Sequence, residues 1–173
     1  MTPYFLIAFM VCLFAYICHT VTHFFEYKGH EFKSRIYEKI LTIIIFAGYI
    51  AWVFMIFQDP IKMDLSDHIA KPLGLLVGLT GLALFVLSAK AKKGFHELDH
   101  LVTEGIYSKI RNPMYLGIIL LHVGFPLAAK SLLTLLSAII WVPLILMWKY
   151  WEEKDLEKKF GKEYSEYKSR TLF

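Results

Sequence analysis

The chain has 173 residues, of which 57% are hydrophobic and 20% are charged, and its formal net charge is +4. This composition excludes an ordinary soluble domain, because so few charged side chains cannot cover so much apolar surface. The basic residues lie in short stretches between apolar runs. That distribution suits anionic lipid headgroups and argues against a nucleic-acid partner.

Five apolar runs approach or reach the roughly 20 residues that a helix needs to cross a bilayer. They lie at about 4–25, 37–57, 73–89, 114–129 and 132–151. The connection between the last two runs consists of Lys130 and Ser131, which predicts a tight helical hairpin. We therefore expect an all-α integral membrane protein with five transmembrane helices. Residues 1–173 should form one membrane domain, with helices one to three in 1–93 and a polar loop, the hairpin and a tail in 94–173.

The positions of lysine and arginine predict the orientation of this bundle. The stretches 26–36 and 90–113 and the tail after residue 149 are rich in these residues, whereas 58–72 has two lysines against three aspartates. Basic connections stay on the cytosolic side of a membrane. We expect the N-terminus outside and a cytosolic, helical C-terminal tail, in a multi-pass protein of a prokaryotic cell membrane or the endoplasmic reticulum.

Two local patterns within the bundle have structural explanations. Gly74, Gly78 and Gly81 lie at helical spacing in the third run, which predicts a groove where another helix packs closely. His19 and His23 are four residues apart and could share a metal, but no H-E-x-x-H pattern accompanies them. We expect them to form a polar helix end, and no metal site is predicted.

The tail from 152 to 170 has helical spacing and many charges. Gly161 is expected to divide it into two short helices, because glycine commonly ends a helix.

The stretch 90–117 is too polar to cross the membrane and lies on the predicted cytosolic side, where a site is expected. Asn112 can cap the fourth helix, and Pro113 suits its first turn. The positive end of that helix, beside Arg111, would bind a carboxylate or a phosphate well. Alternatively, Arg111 extends its side chain to the lipid headgroups.

Two motifs near the C-terminus resemble those of a known family. The pattern L-V-T-x-G-x-Y-x-x-x-R-[HN]-P-x-Y-x-G occupies 101–117, and a Glu-Glu pair, a Phe-Gly pair and two tyrosines lie within 152–167. Together they resemble the signature of the isoprenylcysteine carboxyl methyltransferase and phospholipid methyltransferase superfamily. The matching residues are Leu101, Val102, Thr103, Gly105, Tyr107, Arg111, Asn112, Pro113, Tyr115, Gly117, Glu152, Glu153, Phe160, Gly161, Tyr164 and Tyr167.

The resemblance implies a pocket for S-adenosylmethionine beneath the inner membrane surface, with S-adenosylhomocysteine as product. Arg111 and Glu153 are the expected catalytic residues, and Trp148 and Lys149 are expected to bind the substrate. The cofactor-binding residues that the resemblance implies are His100, Leu101, Val102, Tyr107, Asn112, Pro113, Tyr115 and Glu152.

The sequence departs from the family pattern at two places. The family histidine usually lies two residues before the leucine, where this chain has Asp99, and His100 is adjacent to Leu101. Isoprenylcysteine enzymes also carry an arginine near the end of the last span, where this chain has Lys149. Because lysine does not grip a carboxylate bidentately, a prenylcysteine acceptor is less favoured.

We therefore expect an S-adenosylmethionine-dependent methyltransferase whose lipophilic acceptor enters from the bilayer. The acceptor can be a phospholipid amine, a prenylcysteine carboxylate or a small hydrophobic thiol, and membrane lipids are the expected partners, with no obligate protein partner implied. A base is needed if the acceptor is protonated, and His100, Glu97 and Glu153 are candidates. The alternatives are a non-catalytic lipid-binding or assembly protein and an NADPH-dependent membrane reductase.

Overall fold

The computed structural model describes residues 2–30, 32, 34–92 and 100–173, and helices account for most of them. No strand occurs within these ranges, although two isolated β-bridges do. The α-helices are α1 (Pro3–Tyr27), α2 (Arg35–Gln58), α3 (Asp67–Ala91), α4 (Pro113–Ala128), α5 (Leu132–Phe160) and α6 (Lys162–Ser169), and a 3-10 helix covers Gly105–Ser108.

Four of these helices, α1, α2, α3 and α5, are long and apolar enough to cross a membrane. The apolar α4 has 16 residues and is about 24 Å long, which is less than the roughly 30 Å of a bilayer's hydrocarbon core. Large apolar side chains such as Phe14, Phe46, Leu76 and Ile139 face outward from the bundle. Outward apolar surface of this extent is typical of a protein in contact with lipid. The expected all-α architecture is confirmed, four helices are candidate membrane spans, and helices lie at all five expected positions.

Two helix boundaries differ from the expected ones. The third helix begins at Asp67 rather than at about 73, and Asp67 forms ion pairs of 2.7 Å with both Lys71 and Lys130. The fifth continues past 151 to Phe160, where side-chain pairs such as Lys154–Glu157 at 2.7 Å support the polar turns. This extension carries the Glu152–Glu153 pair on an ordered helix.

The predicted hairpin and the predicted break at Gly161 are confirmed. The tail does not form two short helices, because its first part is the end of the 29-residue α5. Gly161 separates α5 from α6 with a φ of 53°, a left-handed conformation that glycine adopts without steric cost. Three residues separate α4 from α5, and Lys130 at their centre has a φ of 56°. The hairpin returns the polar end of α5 to the side of the bundle where α4 begins.

The predicted glycine groove is confirmed as the contact between α3 and α4. A Cβ atom added to Gly81 would lie 2.7 Å from the carbonyl oxygen of Gly117, and one added to Gly124 would overlap the backbone of Gly78. Contacts this close allow dispersion forces to act between two backbones, which is how helices associate in a medium as apolar as their own surfaces. The groove fixes α4 against α3, and with α4 the end of the polar stretch 90–117.

A buried histidine and a tyrosine together join three helices in the interior. His122 Nδ1 lies 2.8 Å from the carbonyl oxygen of Ile118, and its Nε2 lies 2.8 Å from the hydroxyl of Tyr16. A carbonyl can only accept, so Nδ1 carries the proton and Nε2 accepts from Tyr16. The Tyr16 ring also packs on the buried Trp141 at 4.6 Å between centroids. The polar atoms of this contact are thereby satisfied within the bundle.

The close α3–α4 contact leads to a stability prediction. We expect Gly124→Ala to lower the melting temperature in detergent, because the added methyl group overlaps the Gly78 backbone. Overpacking typically costs about 1–3 kcal/mol, which exceeds the roughly 1 kcal/mol that alanine gains in helix propensity. Ala83→Val, on an exposed position of α3, is the control and should leave the melting temperature nearly unchanged. An unchanged melting temperature for Gly124→Ala would show that the two helices do not need this contact.

Candidate active site

The polar residues of the two motifs gather at one end of the bundle, where α3 ends, α4 begins and α5 passes beyond its apolar part. Glu152 and Glu153 are consecutive on α5, so their side chains point about 100° apart around the helix axis. The two carboxylates consequently have different neighbours and different exposure.

Glu152 faces the end of α3 and the first turns of α4. Its Oε1 accepts a hydrogen bond from Lys92 Nζ at 2.8 Å, and its Oε2 accepts one from the Tyr115 hydroxyl at 2.6 Å. The side chains of Lys92 and Glu152 are 26% and 27% exposed, respectively. This ion pair is therefore enclosed by the protein but still accessible to a ligand.

Glu153 points in a different direction from Glu152 and is surrounded by donors. Its Oε1 accepts from Arg111 Nε at 2.8 Å and from Asn112 Nδ2 at 2.6 Å. Lys149 Nζ lies 3.2 Å from Oε1, and Lys168 Nζ lies 3.3 Å from Oε2. The Glu153 side chain is 9% exposed. We call these five residues the Glu153 cluster.

The Glu153 cluster holds residues 168–173, the C-terminal segment, against the bundle. Arg111 Nη1 donates to the backbone oxygens of Lys168 and Thr171 at 3.4 and 3.3 Å. The backbone N–H of Arg111 donates to Leu172 O at 2.8 Å, and Leu172 N–H donates to Lys109 O at 2.9 Å. Hydrogen bonding to Glu157, and less strongly to Glu153, raises the pKa of Lys168 above its ordinary value. Through these bonds the Arg111 guanidinium is occupied by Glu153 and by the C-terminal segment.

The expectation that the Asn112 side chain caps α4 is wrong. Pro113 does begin the helix, and the Asn112 backbone oxygen accepts the first helical bond from Leu116 N–H at 3.2 Å. The Asn112 amide instead donates to Glu153 and, at 2.9 Å, to the backbone oxygen of Phe173. A charged acceptor forms a stronger bond with the amide, and this bond directs the side chain away from the helix end.

The 3-10 helix supplies an aromatic wall beside Lys92. Tyr107 is buried, its ring centroid lies 5.9 Å from Lys92 Nζ, and its backbone oxygen accepts a bond of 2.8 Å from the Tyr167 hydroxyl. Burial raises the pKa of Tyr107, and it raises that of Tyr167 to about 12. Both phenols are therefore neutral near pH 7, where the Tyr107 ring acts as a packing group and the Tyr167 hydroxyl as a hydrogen-bond donor.

Trp148 and Lys149, the expected substrate-binding residues, point to different parts of the protein. Trp148 is buried against α1, where its Nε1 donates to Thr20 Oγ1 at 2.9 Å and its ring contacts that of His19 at 4.4 Å. Lys149 belongs to the Glu153 cluster, and its Nζ lies 4.6 Å from the centroid of the Phe173 ring. The structure does not bring these two side chains to one common surface.

The remaining expected cofactor-binding residues differ in burial. His100 is exposed, Leu101 and Val102 are half-buried, and Pro113 is buried. Glu97 and Asp99, considered above as a base and as the family histidine position, lie outside the described residues. The contact of His19 with His23, edge to face at 4.4 Å, agrees with a polar helix end.

The sequence reasoning missed Lys92 as a site residue. The lysines at 90, 92 and 93 were interpreted together as a signal of orientation. Lys92 follows the last residue of α3 and reaches a carboxylate 60 positions further along the chain. Lys92 differs from Lys90 in its position just beyond the helix end. From there its side chain can turn toward the start of α4, which is the signal that could have distinguished it.

The fold and this polar end define a helical membrane protein in which two glutamate side chains and their partners form a polar site at one end of the bundle. Residues 91–163 match the family model of the phospholipid methyltransferases, which belongs to the isoprenylcysteine carboxyl methyltransferase-like superfamily. The expected resemblance is thereby confirmed for this segment, and it indicates a membrane methyltransferase. No curated protein and no solved structure gives a significant match.

The geometry of the Glu153 cluster predicts the effect of a conservative substitution. In Arg111→Lys, one ammonium group cannot replace the planar guanidinium that serves Glu153 and two backbone oxygens together. We expect the amides of 165–173 to exchange with deuterium about tenfold faster, because hydrogen bonds to charged groups contribute about 1.5–3 kcal/mol.

Arg35→Lys, at the exposed start of α2, is the matched control and should not change this exchange. Equal protection of the C-terminal segment in both variants would contradict the role assigned to Arg111.

Proposed function

We propose that the protein is an S-adenosylmethionine-dependent methyltransferase that acts on a lipophilic acceptor at the inner membrane face. The observation that carries the proposal is the accessible carboxylate of Glu152, held by Lys92 and Tyr115 within the segment that matches the phospholipid methyltransferases. A site with fixed charges, at the polar end of an otherwise apolar bundle, suits a charged cofactor and a membrane-borne acceptor.

The residues at this end are chemically suited to the cofactor. Its methionyl part carries an ammonium and a carboxylate, and its adenine favours apolar and aromatic surroundings. Glu152 offers an anion, Lys92 offers a cation, and Tyr107 with the half-buried Leu101 and Val102 offers apolar surface. Tyr115 holds the Glu152 carboxylate in a defined orientation through its 2.6 Å hydrogen bond.

Bound S-adenosylmethionine supplies an activated methyl group on a sulfonium, so the protein's task is to align donor and acceptor and to exclude water. Glu153 accepts from two side chains at less than 3 Å and pairs with two lysines, so its charge is already compensated. We therefore assign Arg111 and Glu153 a positioning role rather than the direct catalytic role expected from the resemblance. They hold the C-terminal segment against the start of α4, beside the site.

The membrane arrangement that accompanies this proposal has five spans, with the N-terminus outside and the site on the cytosolic side. The short α4 can belong to such an arrangement, because a bilayer thins locally around a helix that is shorter than its hydrocarbon core. The polar stretch before α4 then lies at the cytosolic surface. Lys149 is engaged with Glu153 and Phe173, which leaves it poorly placed to receive a prenylcysteine carboxylate. Among the three expected acceptors, we favour a phospholipid amine.

Ligand-induced stabilisation tests the use of this cofactor. We expect S-adenosylhomocysteine to raise the melting temperature of the purified protein, since a ligand that binds the folded state stabilises it, and we expect NADPH to have no effect. Glu152→Ala should abolish the shift, whereas Glu163→Ala, at an exposed position of α6, should retain it. A folded wild-type sample without any shift would rule out the methyltransferase proposal, and a shift with NADPH would favour a reductase.

The acceptor can be identified with labelled cofactor. Incubation of the wild-type protein with methyl-labelled S-adenosylmethionine and total membrane lipids should place the label on the headgroup amine of a phospholipid. Glu152→Ala provides the background rate. Label in a prenylated peptide or in a small thiol, supplied in parallel, would instead identify one of the other two acceptor classes.

A further inference from the structure

We propose that Lys92 and Glu152 form a receptor for the amino-acid end of the cofactor, in which Lys92 binds its carboxylate and Glu152 binds its ammonium. This inference rests on the proposed use of S-adenosylmethionine. It adds Lys92 to the site and assigns the cofactor carboxylate to this side chain rather than to Arg111.

The structure favours Lys92 over Arg111 because the two cations differ in what already surrounds them. The Arg111 side chain is 10% exposed, and its guanidinium donates to Glu153 and to two backbone oxygens of the C-terminal segment. Lys92 is 26% exposed, and within the described residues its ammonium donates a hydrogen bond to Glu152. A ligand carboxylate can therefore reach Lys92 without dismantling the Glu153 cluster.

Charge balance indicates which kind of ligand suits the pair. A ligand with a single charge would separate Lys92 from Glu152 and leave one of them in an enclosed position without a partner, which is costly. A ligand that carries an ammonium and a carboxylate on one carbon atom replaces one ion pair by two. Net charge is zero before and after binding, and each group keeps a partner of opposite sign. The amino-acid end of the cofactor has this property.

The neighbours of the pair support an exchange of partners. The Tyr115 hydroxyl donates to Glu152 Oε2, not to the oxygen that Lys92 contacts, so it can hold the carboxylate while Lys92 turns to a ligand. Lys92 lies one residue beyond the end of α3. The face of Tyr107, 5.9 Å from Nζ, offers the ammonium a favourable contact throughout such a movement.

Binding of three nucleosides to the purified full-length protein tests the assignment. S-adenosylhomocysteine carries both charged groups, decarboxylated S-adenosylmethionine lacks the carboxylate, and 5′-methylthioadenosine lacks both. Lys92→Met should weaken binding of S-adenosylhomocysteine about tenfold or more, because a charge-assisted bond is lost. It should leave the affinity for 5′-methylthioadenosine unchanged, which also shows that the variant is folded.

Three further comparisons complete the test. Lys92→Arg keeps the positive charge and should retain most of the affinity for S-adenosylhomocysteine. Lys90→Met removes a charge from an exposed position in the last turn of α3 and should not change the affinity for S-adenosylhomocysteine. Lys92→Met should also leave the affinity for decarboxylated S-adenosylmethionine unchanged, whereas Glu152→Gln should lower it.

The outcomes separate this inference from the proposed function. The receptor assignment is overturned if Lys92→Met binds S-adenosylhomocysteine as tightly as the wild type does, or if its affinity for all three nucleosides falls equally. The methyltransferase proposal stands in both cases. If the folded wild type binds none of the three, the use of the cofactor is overturned and this inference falls with it. Selective loss of the carboxylate-bearing ligand supports both.

Discussion

The buried carboxylate of Glu153 is the constraint on which the polar end of this protein depends. An enclosed carboxylate without partners costs several kcal/mol, so donors must converge on it when the chain folds. These donors come from three regions: the start of α4, the body of α5 and the tail helix α6. Satisfying one charge therefore fixes the relative positions of segments that are far apart in the sequence. The same contacts occupy Arg111 and Asn112, the two residues that sequence motifs most readily suggest as ligand-binding groups.

The division of roles between the two consecutive glutamates follows from helix geometry. A rotation of about 100° per residue means that neighbours on α5 cannot face the same surroundings. Glu153 is surrounded by donors and enclosed, whereas Glu152 keeps one cation, one phenol and contact with solvent. A Glu-Glu motif can thus combine a structural carboxylate with a more accessible one, to which the proposed function assigns the cofactor. This explains why both residues belong to one motif although they have no contact partner in common among those described above.

Much of the fold follows from local features of the sequence. Apolar runs of sufficient length predict the helices, two residues between runs predict the hairpin, and Gly161 and the glycines of α3 predict a break and a groove. The site was less predictable because it depends on contacts between distant segments. The capping role expected for Asn112 failed because an anion 41 positions away competes for its amide. The partner of Lys92 could not be read from the sequence, since the neighbouring lysines look alike until the end of α3 is placed beside α5.

The glycine contacts between α3 and α4 connect the membrane part of the fold to its chemistry. Because the two backbones touch, the end of α3 and the start of α4 have a fixed separation, and a side chain just beyond α3 can meet one from α5 near the first turns of α4. A larger residue in the groove would separate the helices along their whole contact, including their polar ends. Close packing within the apolar region thereby holds the end of α3, beside Lys92, near Tyr115 of α4, whose hydroxyl donates to Glu152. A methyl donor dissolved in water and an acceptor dissolved in lipid can meet only at such a boundary. The position of the ion pair at the polar end of the bundle is consistent with that requirement.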